Sequence, residues 1–169
     1  MLDQNLYEAV CHYVGRLLSD EEMVKDIVQE VFLRLEQNRR KISNHRSWAY
    51  KTARNLVIDF YRRRSHAAYP VVIGDKVELL PANTVQFNPA LLAEKKESIT
   101  IMLEKLNNLS RRHREVLKLK FQEGLKYSEI AEIIDESVTT VSWLLHDSLS
   151  RLRKELSVEK QDLQEPIQR

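Results

Sequence analysis

The chain has 169 residues, of which 43% are apolar, with only three glycines and four prolines. That excludes disorder throughout and a turn-rich β architecture, and leaves one domain or two small ones built from long helices. A net charge of +2 and a single cysteine, Cys11, exclude an internal disulfide, a cysteine metal cage and a uniformly polyanionic or polycationic chain.

In chain order, Leu6, Val10, Val14, Leu17 and Leu18 recur at helical spacing and predict an amphipathic helix over 3–18, with Cys11 as a small core residue on it. Ser19-Asp20-Glu21-Glu22 reads as a capping box with Ser19 as the cap. The second helix then turns Met23, Ile27, Val31, Phe32 and Leu35 inward, and Asp26, Gln29, Glu30 and Arg34 outward. Residues 37–46 are polar and aperiodic, a predicted loop. Ser47 is expected to cap a third helix from Trp48 to Arg64, with Ala49, Ala53, Leu56, Val57 and Phe60 as its core stripe.

Charge is segregated across this stretch. Residues 1–36 hold eight acids and three bases; residues 39–66 hold nine bases (Arg39, Arg40, Lys41, Arg46, Lys51, Arg54, Arg62, Arg63, Arg64) and one acid, Asp59. An acidic block beside a strongly basic one gives a nearly neutral chain one face for a polyanion and another for a different partner. Trp48, Tyr50, Tyr61 and Tyr69 interleave with these cations, the pattern by which proteins stack unpaired bases while tracking phosphates. The same pattern also suits Trp48 as a core anchor and the arginines as a solvated helix end.

Residues 65–88 lose the helical period and gain two prolines, and are read as a flexible linker. Asn88-Pro89 restarts a helix reaching Asn107. Ser110 caps the next helix, through Gln122, and Gly124 supplies a left-handed stop. A short helix over 127–134, a turn at Asp135-Glu136 and a helix over 138–156 capped by Ser137 match the helix-turn-helix template. Ile130, Ile134, Val141 and Leu144 or Leu145 are buried between its helices, Ala131 marks the close crossing, and Asp135 occupies the left-handed turn position. Glu136 fits poorly, since that place is commonly apolar. Such a unit projects its second helix into a DNA major groove. The polar tail, 157–169, is expected to fray.

The five histidines (His12, His45, His66, His113, His146) are scattered without metal-ligand spacing. There is no glycine-rich phosphate loop and no G-x-S-x-G nucleophile motif. No catalytic residue, cofactor or metal is expected, and each histidine is expected at the surface or at a helix end. No apolar run approaches the ~20 residues a membrane span needs. The opening MLDQNLYEAV lacks a basic segment followed by an apolar one, so no membrane insertion and a cytoplasmic location are expected.

Taken together, DIVQEVFLRL (26–35), SWAYKTARNLVIDFYRRR (47–64), LSRRHREVLKLKFQEGLKYSEIAEI (109–133) and SVTTVSWLLHDSLSRLRKEL (137–156) resemble, in order and spacing over 1–156, the extracytoplasmic-function (ECF) sigma factors of bacterial RNA polymerase. The resemblance implies an all-α fold of two small helical domains joined by a flexible linker, the C-terminal one a helix-turn-helix. The N-terminal domain (1–66) would bind polymerase and melt the minus-ten element, the linker would span 67–90, and 91–156 would read the minus-thirty-five element.

By the same resemblance, Asp26, Gln29, Glu30 and Arg34 would dock on the clamp helices of core RNA polymerase, whose flap is a further contact. Lys41, Arg46, Trp48, Lys51, Arg54, Asn55, Asp59, Arg62 and Arg63 would hold the opened minus-ten DNA. Arg112, Lys126, Thr139, Thr140, Ser142, Trp143, His146, Asp147 and Arg151 would meet the minus-thirty-five DNA, with Arg111, Arg114 and Arg153 as further phosphate contacts. An anti-sigma factor is an implied partner. The recognition surface departs from the family's pattern: Ser142, Leu144 and Asp147 stand where basic residues are usual, and Trp143 replaces a small one.

Two other readings fit the motif alone. A free-standing operator-binding regulator would need an apolar dimer stripe, which the acidic-then-basic N-terminal block does not provide. A helical adaptor without DNA binding would share the acidic docking face but not the basic, aromatic helix.

Overall fold

A computed structural model describes residues 3–64 and 105–162. Its helices, in order, are α1 (Gln4–Leu17), α2 (Glu21–Asn38), a 3-10 turn (Arg39–Lys41), α3 (His45–Arg64), α4 (Arg111–Phe121), α5 (Tyr127–Ile134) and α6 (Val138–Asp162). A helical turn over 105–108 precedes α4. The described residues contain no strand. The linker and the helix expected from Asn88-Pro89 lie outside the described residues.

The first three helices close on one another through the stripes the period predicts, with Val28 added on α2. Val10 and Val14 of α1, Val28 and Val31 of α2, and Ala49, Ala53 and Val57 of α3 are all fully buried. Each such valine contributes roughly 1.5–3 kcal/mol relative to exposure, so this stripe, not helix propensity, holds the bundle. Tyr7 packs on Phe32 with ring centroids 5.1 Å apart, and Tyr13 on Tyr50 at 5.0 Å. Leu56, Phe60 and Met23, expected in the core, sit at its margin, and so does Cys11. Burial pushes the Cys11 thiol above its ordinary value.

Local signals place the helix ends one to three residues from their expected positions. Asp20, not Ser19, caps α2: its carboxylate accepts from the Met23 amide at 3.2 Å, and an acid suits the helix's positive end. Asn44, not Ser47, caps α3, its Oδ1 accepting from the amides of Arg46 (3.1 Å) and Ser47 (3.2 Å). The predicted loop 37–46 thereby shrinks to 42–44, because α2 runs to Asn38 and the 3-10 turn follows it.

The second half follows the helix-turn-helix expectation more closely. Gly124 has φ 63° and Asp135 φ 55°, the left-handed conformations both turns require. Ser137 caps α6, its hydroxyl accepting from the Thr140 amide at 3.0 Å. Val116, Leu119, Leu125, Ile130, Ile133 and Val141 form a fully buried core, with Ile134 at its edge. Glu136, the misfit, is accommodated by Arg112 at 2.5 Å. The final helix runs to Asp162, beyond the expected 156.

The two halves touch. α3 packs along α5 more extensively than any other pair of described helices, so the helix-turn-helix rests against the basic helix.

Candidate nucleic-acid interface

The acidic face of α2 is built by spacing alone. Asp26, Gln29 and Arg34 are exposed and Glu30 half-buried, with Arg34 Nε donating to Glu30 Oε1 at 2.6 Å. Leu33, 56% exposed, stands three residues after Glu30 and seven after Asp26, on the same face. Sequence reasoning alone misses it. Its signal was an apolar residue out of phase with the core stripe, in phase with Asp26, Gln29 and Glu30.

On α3 and the turn before it, the expected minus-ten residues divide into two sets. Asn55, Asp59, Arg62 and Arg63 are exposed, with Asp59 and Arg62 in a loose pair at 3.8 Å. Lys41 is exposed at the mouth of a cleft, which Trp48 and Lys51 line from α3 and Ser128, Ala131, Glu132 and Asp135 line from α5 and its turn.

The remaining cations turn towards the second half of the chain. Lys51 pairs with Asp135, and Arg54 with Glu115, Nε to Oε1 at 2.5 Å and Nη2 to Oε2 at 3.4 Å. The Ser47 hydroxyl donates to Glu132. Arg46 donates to the Glu123 carbonyl at 2.7 Å. The Glu123 carboxylate, almost fully buried, is held by Arg16 from α1 and by the Tyr50 hydroxyl at 3.0 Å.

Burial, reinforced by Glu123, pushes the Tyr50 phenol well above its ordinary value, so it stays a donor. Tyr13 beside it is shifted the same way, again chiefly by burial. Of these acids sequence reasoning singled out only Asp135, and that for its backbone. Nothing local marks a glutamate whose partner lies 107 positions away, as Arg16 does for Glu123.

On α6, Thr139, Ser142, Trp143 and His146 are exposed, Trp143 at 59%. Thr140 is half-buried beneath the Ser137 cap. Asp147 is engaged from two sides: His113 Nε2 lies 2.9 Å and Arg151 Nε 2.7 Å from its Oδ2. The His113 Nδ1 lies 2.6 Å from the Ser110 hydroxyl, and its ring 6.1 Å from that of Trp143.

His113, expected at the surface or at a helix end, lies in the first turn of α4 and is buried there, because α4 and α6 close around the Ser110–His113–Asp147 chain. Arg114, expected among the phosphate contacts, is also buried and donates to the Asn107 carbonyl at 2.9 Å. Lys126 and Arg112 remain exposed ahead of the recognition helix. Replacing His113 with alanine should cost about 1 kcal/mol through the lost hydrogen bonds. Thermal melting of the full chain checks this, and an unchanged midpoint would remove the brace.

Among the described residues no helix is long and apolar enough to cross a membrane, and no group of three or more His, Cys, Asp or Glu is placed to hold a metal ion.

Comparison with known proteins agrees with this geometry. Residues 2–67 match the family Sigma-70 region 2, and residues 106–154 the family Sigma-70, region 4. The chain is 30% identical over 166 residues to the RNA polymerase sigma factor SigV of Bacillus subtilis, covering 95% of this chain and 88% of that protein. It is 30% identical over 147 residues to the ECF RNA polymerase sigma factor SigL of Mycobacterium tuberculosis, covering 83% and 78%. In fold it is similar to the sigma factor RpoE of Bartonella quintana, solved in complex with the anti-sigma factor NepR, with a TM-score of 0.58 at 21% identity over 91% of this chain and 93% of that one. A basic, aromatic helix, a helix-turn-helix, two family matches in the right order and relatives matched over most of their length lead to one conclusion: the chain belongs to the ECF sigma factors and is a promoter-specific initiation factor of RNA polymerase.

Proposed function

We propose that this sigma factor divides its work among four surfaces and carries out no chemistry of its own. The face of Asp26, Gln29, Glu30, Leu33 and Arg34 docks on the clamp helices of core polymerase. Its acids meet a basic partner and Leu33 supplies the apolar contact that a polar rim surrounds. The exposed Phe121 and Tyr127, the latter with Lys120 over its ring, are suited to the flap. The α3 surface, with Trp48 as stacking platform and Lys51, Arg54, Arg62 and Arg63 on phosphates, holds the opened minus-ten strand. The α6 surface reads the upstream element. The protein acts in the cytoplasm with the polymerase, and an anti-sigma factor is its expected inhibitor, as NepR partners RpoE in the neighbouring structure.

The observation that carries the upstream assignment is the state of Asp147. Held by His113 and Arg151, it serves as a brace, and its charge is offset before it meets DNA phosphate. With no arginine over residues 138–146 of the recognition helix, and Arg151 bonded to Asp147, bidentate guanine contacts worth roughly 1–3 kcal/mol each are missing there. Reading falls to the Thr139 methyl and the Trp143 ring against thymine methyls. Selection of promoter variants by the holoenzyme tests this. A thymine-bearing upstream box without a required guanine is expected; recovery of a guanine-rich box would refute the assignment.

A further inference from the structure

Between α3 and the first turn of α4 lies a second cleft, of about 480 Å3, which shares no residue with the one beside Trp48. Arg54, Ile58 and Arg62 line it from α3, each four residues from the last and so on one helix face. Arg111, Arg112 and Glu115 line it from α4, and Ile134 closes it from the end of α5. Four guanidinia therefore converge on one carboxylate. Arg54 bonds Glu115, and Arg112 bonds Glu136 at 2.5 Å. Arg62 keeps 69% of its side chain in solvent and meets Asp59 only at 3.8 Å. Arg111 is half-buried beside them.

This placement runs against helix electrostatics. α4 opens on two arginines and has no acid in its first turn, although the positive end of a helix favours anions. An anion in the cleft would meet the guanidinia and that helix end together. The shape limits which anion. The volume lies in the range of small-molecule sites, and a concave cleft cannot receive the convex rod of a DNA duplex. Guanidinia grip phosphate oxygens in pairs, so four of them from two helices suit a chain of phosphates better than a single one. Ile58 and Ile134 offer an apolar wall to a sugar or base.

We propose that this cleft binds a short phosphate chain, free or carried by a nucleoside, with Arg54 and Arg62 on one side and Arg111 and Arg112 on the other. Glu115 and Glu136 compete with the ligand for Arg54 and Arg112, which keeps the affinity modest and the site responsive to ligand concentration. The site does not depend on the reading of α3 as the strand-holding surface. Because the ligand touches both halves of the chain, its binding also raises the melting temperature by mass action.

The test titrates the full chain by calorimetry with tripolyphosphate, ATP and AMP, at about 0.15 M salt and without divalent cations. Tripolyphosphate or ATP is expected to saturate one site per chain with a Kd below about 1 mM, and AMP to bind at least about tenfold more weakly. Arg62→Gln with Arg111→Gln should weaken binding at least about tenfold, as loss of two charge-assisted hydrogen bonds requires. Arg39→Gln with Arg40→Gln, the same change in charge on the 3-10 turn outside the cleft, should change it by no more than about twofold. Glu115→Gln, which removes the carboxylate lining the cleft, should tighten it by at least about threefold. Tighter binding of ATP than of tripolyphosphate supports the site with a nucleotide as occupant; equal or tighter tripolyphosphate supports it with the bare chain. No saturable binding, several ligands per chain, AMP binding as well as ATP, no tightening in Glu115→Gln, or an equal loss in the control overturns the proposal.

Discussion

Replacing Glu30 with arginine is expected to detach the sigma factor from core polymerase, lowering affinity by at least about a hundredfold. Juxtaposing like charges at an interface costs several kcal/mol, and every 1.4 kcal/mol is a factor of ten. The substitution also puts two arginines four residues apart, since Arg34 now bonds Glu30 at 2.6 Å. The two side chains keep 40% and 47% of their surface in solvent although Glu30 as a whole is half-buried, and an i,i+4 pair of this kind is worth only about 0.3–0.5 kcal/mol. The fold should therefore survive, with a melting temperature close to that of the unmodified chain. Size-exclusion co-elution with core polymerase separates the two effects. A variant that stays folded and still co-elutes at stoichiometry would show that α2 does not dock through this face.

Trp48→Ala is expected to act at a later step. Its side chain lies half-buried on the cleft wall, beside the α3 cations and outside the fully buried stripe of Ala49, Ala53 and Val57. Removing a base-stacking aromatic costs roughly 1–3 kcal/mol per base, ten- to a hundredfold in the open complex, with little effect on polymerase binding. Permanganate reactivity of unpaired thymines in the minus-ten region reads this directly. Normal reactivity in Trp48→Ala would return the residue to the core-anchor role its position also allows. A drop in both opening and polymerase affinity would point the same way.

These two residues illustrate what could be read from the chain before its structure. The faces that Glu30 and Trp48 occupy were legible because their signals are local: an acid outside a 3.6-residue apolar stripe, and an aromatic among cations. The same holds for Asp135 and Gly124, where a left-handed turn favours few residue types. Caps were legible only as neighbourhoods. Two adjacent candidates competed at Ser19-Asp20, and the acid won because the helix's positive end favours charge. At the start of α3 Asn44 displaced Ser47, whose hydroxyl is drawn instead to Glu132 across the molecule.

What could not be read was long-range. Glu115, Glu123 and Glu132 carry no local mark, and their roles exist only because α5 lies against α3. His113 looked like any surface histidine until α4 and α6 closed around it. Asp147, expected from the sequence to face DNA, shares that change: His113 on another helix bonds it at 2.9 Å. The residues whose expected roles shifted most are those whose partners lie in another helix, because helical periodicity reports the face a residue occupies and not what covers it.

The central claim is that α2, α3 and α6 act as one device on one promoter, and run-off transcription tests it most directly. Core polymerase, a linear template carrying a promoter chosen by the holoenzyme, and the full chain are combined, with Glu30→Arg and Trp48→Ala in parallel. The unmodified chain should convert an inactive core into one giving a single discrete transcript. Glu30→Arg should give none, and Trp48→Ala a small fraction that rises when the minus-ten region is supplied already unpaired. Equal transcript from core polymerase with and without the chain, or full activity from both variants, would contradict the account.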